Sequence, residues 1–184
     1  MHPRLQEITS YMARIRAELT TVLESTPEMA FSNVPESGWT GAQIIQHLGQ
    51  AEGSIAKLLE GLFAKALEDG LPEDTETSSL LRALDHLGVP DRTRRRVVAP
   101  SRLEPPRDSA VAASWESLQR VRERTLRAVA SVDGRDLSRL AAPHPVFGPI
   151  DGYQWVLFVG QHEARHLGQL RDVLRLASHD GPGA

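Results

Sequence analysis

Four stretches of this chain place apolar residues at alternating three- and four-residue intervals, and almost nothing in it alternates with the period of two that a sheet requires. Leu5, Ile8, Met12, Ile15, Leu19 and Val22 fall on one side of a first helix. Ile44, Leu48, Ala51, Ile55, Leu58 and Leu62 do the same on a second, and Val111, Trp115, Leu118, Val121, Thr125 and Val129 on a third. The fourth stripe is Trp155, Val159, His162, His166, Leu170, Val173 and Ala177. A helix with one apolar stripe must bury it against other elements, so the pattern specifies an all-α four-helix bundle.

The punctuation agrees with the stripes. Pro27 and Pro35 bracket the first loop, and Thr40 with Gln43 reads as a capping box opening helix two. Gly70-Leu71-Pro72 ends that helix. Helix three is expected from about Asp108 to Val132, with Gly134 stopping it. Helix four is expected to start at Asp151, where Gln154 completes a second capping box. A long crossover joins helices two and three. Within it, Ser78 to Leu87 has the makings of a short helix, and Arg92, Arg94, Arg95 and Arg96 form a basic run. Pro100, Pro105 and Pro106 favour extended chain, and Val97-Val98 is too short for a strand. One domain is expected over residues 1–184, with a disordered tail at about 179–184.

Composition narrows the function classes. The formal net charge of −3 gives no general affinity for nucleic acid or an anionic membrane, and the arginine run is too short to change that. No cysteine is present, which removes disulfides, thiolate metal sites and cysteine nucleophiles together. The N-terminal residues lack the apolar core of a signal peptide and no run approaches a membrane span, so a cytoplasmic protein is expected.

The chemistry concentrates in His162-Glu163-Ala164-Arg165-His166, which spells H-E-x-x-H. Four residues is about one helical turn, so the two imidazoles project from one side of helix four. They lie on its apolar stripe, where an unsatisfied imidazole costs about 1–3 kcal/mol. Hydrogen-bonded pairing, a polar cavity or a metal would each account for them. His47 borders the apolar stripe of helix two and alone would read as a partly exposed residue. If helices two and four face each other, three imidazoles form a facial set suited to zinc, nickel, copper or iron. A zinc protease is disfavoured. No glutamate follows Glu163, position 169 is Gln where the extended signature needs Gly, and the substrate-holding sheet is not foreseen. Glu163 points about 100° away from His162; it is a pocket candidate as an outer partner of the histidines, with the surface as the favoured place for it. Trp39 and Trp155 are candidates to floor a pocket at one end of the bundle. Either His144 or His86 could approach the site, although both are expected as exposed loop residues, and His2 and His179 lie in the termini.

Several of these segments together resemble the DinB/YfiT-like superfamily of four-helix bundles. They are Gly38-Trp39-Thr40, His47-Leu48, His144-Pro145-Val146-Phe147-Gly148 and Gln161-His162-Glu163-Ala164-Arg165-His166-Leu167-Gly168-Gln169-Leu170. The resemblance covers essentially the whole chain. It implies an up-up-down-down style bundle that often dimerises, and a divalent metal, nickel or zinc, held at the matching positions His47, His162 and His166. It further implies a metal-dependent hydrolase, or a transferase or isomerase using a low-molecular-weight thiol such as mycothiol, bacillithiol or glutathione, acting on a small molecule. The alternative is a non-catalytic metal-binding or stress-related bundle protein.

Overall fold

The computed structural model describes residues 1–34, 38–91, 93 and 101–179. Four α-helices account for most of them: α1 (Pro3–Ser25), α2 (Gly41–Glu68), α3 (Val111–Ser131) and α4 (Gly152–His179). Helix α1 packs on α4, α2 on α3, and α2 faces α4 across the bundle. Among the described residues, no helix is long and apolar enough to cross a membrane.

The helix starts follow from local chemistry. Pro3 opens α1, where its missing N–H is no loss. The Gln43 N–H donates to Thr40 Oγ1 (3.2 Å) and the Thr40 N–H to Gln43 Oε1 (3.0 Å), so the box at α2 is reciprocal. The same exchange occurs at α4, where the Gln154 N–H donates to Asp151 Oδ1 (2.8 Å) and the Asp151 N–H to Gln154 Oε1 (2.9 Å). Helix α3 begins at Val111 rather than Asp108. The Ser109 hydroxyl donates to the Pro106 carbonyl (2.7 Å), holding the preceding residues in a turn.

Two expectations fail. The chain has a small sheet, an antiparallel hairpin of β1 (Ala141–His144) and β2 (Gly148–Asp151), paired from Ala141 with Asp151 to His144 with Gly148. Each strand has only four residues and carries a proline, too little for an alternating pattern to register. Gly148, at φ +76°, supplies the left-handed residue the tight connection needs. Ala142 and Ile150 nonetheless point inward and are buried. Nor is Ser78 to Leu87 a helix: it is a run of turns with one 3-10 turn at Asp85–Leu87. Its backbone is bonded outward, the Leu80 N–H donating to the Glu7 carboxylate (3.1 Å). The segment lies along α4, with Gln154 Nε2 donating to the Ala83 carbonyl and Arg165 to the Val89 and Asp91 carbonyls. Arg92, Arg94, Arg95, Arg96, Val97-Val98, Pro35, Pro100 and the tail beyond His179 fall outside the described residues.

The bundle interior consists of two apolar clusters. One joins Leu5, Ile8 and Met12 to Leu59, Phe63, Val129 and Val156. The other joins Ile15 and Leu19 to Ile44, Leu48, Leu118 and Leu170. Between them, at mid-height, every helix contributes polar groups: Arg16 from α1, His47 and Glu52 from α2, Arg122 and Thr125 from α3, and His162, Glu163 and His166 from α4. This polar belt cuts the core in two and positions the candidate site.

Candidate metal centre

Half of the belt is a buried ion network. Arg122 is 7% exposed and grips Glu52 with two hydrogen bonds, Nε to Oε1 (2.7 Å) and Nη2 to Oε2 (3.1 Å). The same guanidinium pairs with Glu163, which is 1% exposed. Arg16 closes the ring from α1, bonding Glu163 (2.6 Å) and Glu52 (3.3 Å), with its guanidinium over the Trp115 ring. The Thr125 hydroxyl donates to Glu52 (3.1 Å). Two arginines and two carboxylates thus neutralise one another, the condition under which buried charge is tolerated. Burial opposes the charge on Arg122, but Glu52 and Glu163 outweigh it and raise its pKa further. Glu163 is therefore a core residue, not a surface one. The expectation failed because its two arginine partners lie on other helices, and no spacing within α4 reveals them.

The other half of the belt holds the histidines. His47 comes across from α2 to meet the α4 pair. Its ring centroid stands 5.3 Å from that of His162 and 4.7 Å from that of His166, and the two α4 rings are 4.5 Å apart. One nitrogen from each ring can be chosen so that all three lie within 4.8 Å of one another. His47 and His166 are buried, and His162 keeps a partial opening. The His47 Nδ1–H donates to the Leu103 carbonyl (2.9 Å), and His166 Nδ1 is bonded to Gln169 Oε1 (2.8 Å). With Nδ1 as the donor, Nε2 is the unprotonated nitrogen, as metal-binding histidines usually have it. Burial lowers the pKa of His47, partly offset by the Leu103 bond. Burial lowers that of His162 further, helped by His166, His47 and His144. The set is thus three imidazole nitrogen donors with no carboxylate among them, which fits zinc, nickel or copper and not magnesium or calcium.

The other candidates divide. Trp39 is at the centre, its ring 4.7 Å from His47 and 6.3 Å from His166. Trp155 is not. Its indole N–H donates to the Ala142 carbonyl (3.2 Å), and it packs on Phe158, which lies 5.4 Å from His162. The two tryptophans therefore do not share one end of a pocket. Glu163 cannot serve as the base of a protease motif, since both of its oxygens face arginines. His144 is not an exposed loop residue; it ends β1, half-buried among aromatic rings. His86 is exposed, as expected. Sequence reasoning missed Leu103 and Gln169 as the groups that orient His47 and His166. Gln169 was within reach of a spacing argument, three residues after His166 on the same helix. Leu103 acts through its backbone, which leaves no sequence signal.

Comparison with known proteins agrees with this architecture. The family profile described as the DinB superfamily matches residues 4–170. The uncharacterized protein YuaE of Bacillus subtilis (strain 168) is 32% identical over 136 residues, 73% of this chain and 76% of that protein. A crystal structure of TT2238, described as a four-helix bundle protein, superposes with a TM-score of 0.61 at 21% identity, covering 91% of this chain and 98% of that one. That likeness concerns the fold alone.

Proposed function

This chain belongs to the DinB superfamily, and from that premise we propose that it is a metal-dependent enzyme whose divalent ion, nickel or zinc, is held by His47, His162 and His166. The observation that carries the reading is the convergence of three imidazoles from two helices, two of them with Nδ1 already engaged. Such an ion would supply Lewis acidity, lowering the pKa of a water or thiol at an open position. The chain's own residues orient the site. Leu103 and Gln169 fix two rings, Trp39 and Phe158 wall it with apolar surface, and the arginine–carboxylate network holds α2 and α4 at their spacing. The reaction class that suits this arrangement is hydrolysis or thiol transfer on a small molecule, with a low-molecular-weight thiol as the co-substrate in the second case.

Elemental analysis tests the ligand set. Wild-type protein is expected to carry one equivalent of metal and His162→Ala essentially none. Equal metal in both would show the assignment to be wrong. One observation favours a non-catalytic reading: the buried carboxylates Glu52 and Glu163 are both committed to arginines and do not serve as a base. Thermal melts with and without chelator separate a protein that uses metal from one indifferent to it. Saturation at a hundredfold excess over Kd adds about 2.7 kcal/mol of stability, and an unchanged melt would support the non-catalytic reading.

A further inference from the structure

His144 has no part in the triad, yet its surroundings are more specific than packing requires. It sits at the last pair of the hairpin, opposite Gly148, and the turn that follows folds back onto its ring. The backbone N–H groups of Val146 and Phe147 both donate to His144 Nδ1, at 3.1 and 3.3 Å. A nitrogen that accepts two hydrogen bonds carries no proton, so the ring's proton is on Nε2. Burial, acting against the charged form, pushes the pKa of His144 down to about 4, so the ring is neutral under ordinary conditions. Three aromatic rings set its orientation: Phe147 stacked at 4.6 Å, Trp155 at 5.2 Å and Phe158 edge-on at 4.6 Å.

The Nε2–H has no acceptor among the described residues. It is also absent from the buried side-chain atoms that lack a partner, which are His2 Nδ1, Gln50 Oε1 and Gln161 Oε1. It is therefore an oriented donor that no described side chain or backbone group satisfies and that is not fully enclosed. Phe158, which touches His144 at 4.6 Å, touches His162 at 5.4 Å, so the two imidazoles are separated by one ring. Positive charge stands beside His162, where Arg165 disfavours the protonated ring. Arg165, one turn along α4 from His162, donates to the backbone carbonyls of Val89 and Asp91. Glu163, the carboxylate next to His162 in sequence, is spent on Arg16 and Arg122.

We propose that His144 is a substrate-positioning donor, its Nε2–H receiving the carboxylate of a small acidic molecule whose other end lies at the three histidines. The inference rests on the metal reading for the identity of that other end, and its test keeps the two apart. The probes are acetohydroxamate and the monohydroxamates of malonic, succinic and glutaric acid. Each has the same metal-binding head, and the last three carry a carboxylate on a tail of increasing length. They are titrated calorimetrically into the zinc-loaded full chain and into His144→Phe and His144→Gln. Phe keeps the aromatic packing and removes the donor; Gln restores an N–H near the Nε2 position.

One acid-tailed probe is expected to bind wild type about tenfold tighter than acetohydroxamate, the worth of a hydrogen bond to a charged group. The advantage should vanish in His144→Phe and return in part in His144→Gln, with zinc affinity equal in all three. Equal binding of every acid-tailed probe to wild type and His144→Phe, with zinc affinity intact, would overturn the inference. A wild-type chain that takes up no zinc would refute the metal reading instead. The His144 inference is then decided in the metal-free wild type by imidazole nitrogen NMR during titration with glutarate. A shift of the Nε2 resonance supports it, and an unmoved resonance refutes it.

Discussion

Replacing Arg122 with Met removes the charge that joins both buried carboxylates while keeping much of the side chain's volume. Arg122 holds Glu52 in a two-bond grip and also pairs with Glu163. Without it, Arg16 alone faces two carboxylates, and Arg16 is the more exposed of the two arginines, with 13% side-chain exposure against 8%. One negative charge is left buried and unmatched. Removing one partner of a buried pair costs about 3–5 kcal/mol, most of it the stranded charge rather than the lost attraction. For a chain of this size that corresponds to a fall of about 6–20 °C in Tm. The assay is urea unfolding of the metal-free protein followed by far-ultraviolet circular dichroism, with the slope checked for constancy so that the midpoint reports stability. The double variant Arg122→Met, Glu163→Gln leaves Arg16 and Glu52 as a balanced pair. It should recover at least about 1 kcal/mol relative to the sum of the single variants. A loss below about 1 kcal/mol for Arg122→Met, or strict additivity in the double variant, would refute the argument that the network is a mutually neutralising unit.

The remaining tests are simpler. Gly160→Ala should cost about 1–3 kcal/mol by overpacking, because a Cβ there would stand 2.9 Å from the Tyr11 ring and 3.0 Å from Met12 Cγ; a thermal melt at the wild-type temperature would contradict the close approach of α1 and α4. Thr40→Ala should lower the urea midpoint by the equivalent of about 1 kcal/mol, the ordinary worth of an N-cap, and Thr40→Ser should restore most of it. Metal-free stability should also depend on pH. Burial lowers the pKa of His47, His144 and His162 in the folded chain, whereas the unfolded chain takes up those protons near pH 6.5. The stabilisation is therefore complete above about pH 6.5 and declines as the pH falls, towards about 4 in the case of His144. Urea midpoints that rise between pH 7 and pH 5 would reverse the sign and refute it.

The bundle was legible because its helices advertise themselves. Five of the six stripe residues of α1 are fully sheltered, and both capping boxes form as the residue types specify. The histidines were legible for a similar reason, since an imidazole on an apolar stripe is out of place unless something engages it. What escaped notice depended on more than one helix at once. Glu52, Arg122 and Glu163 look like ordinary surface charges, each on its own helix, and their burial becomes reasonable only when α2, α3 and α4 are brought together. The hairpin escaped because two four-residue strands with a proline each carry less pattern than the turn joining them. His144 escaped because the groups that engage it are backbone amides within its own turn.

The position of Trp39 has a practical side. Of the chain's three tryptophans, Trp115 lies over the Arg16 guanidinium and Trp155 is bonded to Ala142, while Trp39 alone touches His47. Its emission should therefore register what the imidazoles hold. An open-shell ion such as nickel or copper would quench the indole at this range, and zinc, with its filled d shell, would shift the emission without extinguishing it. Were a metal held there, the chain would carry a built-in optical gauge of both the occupancy of the three imidazoles and the electronic character of the occupant, with no label attached.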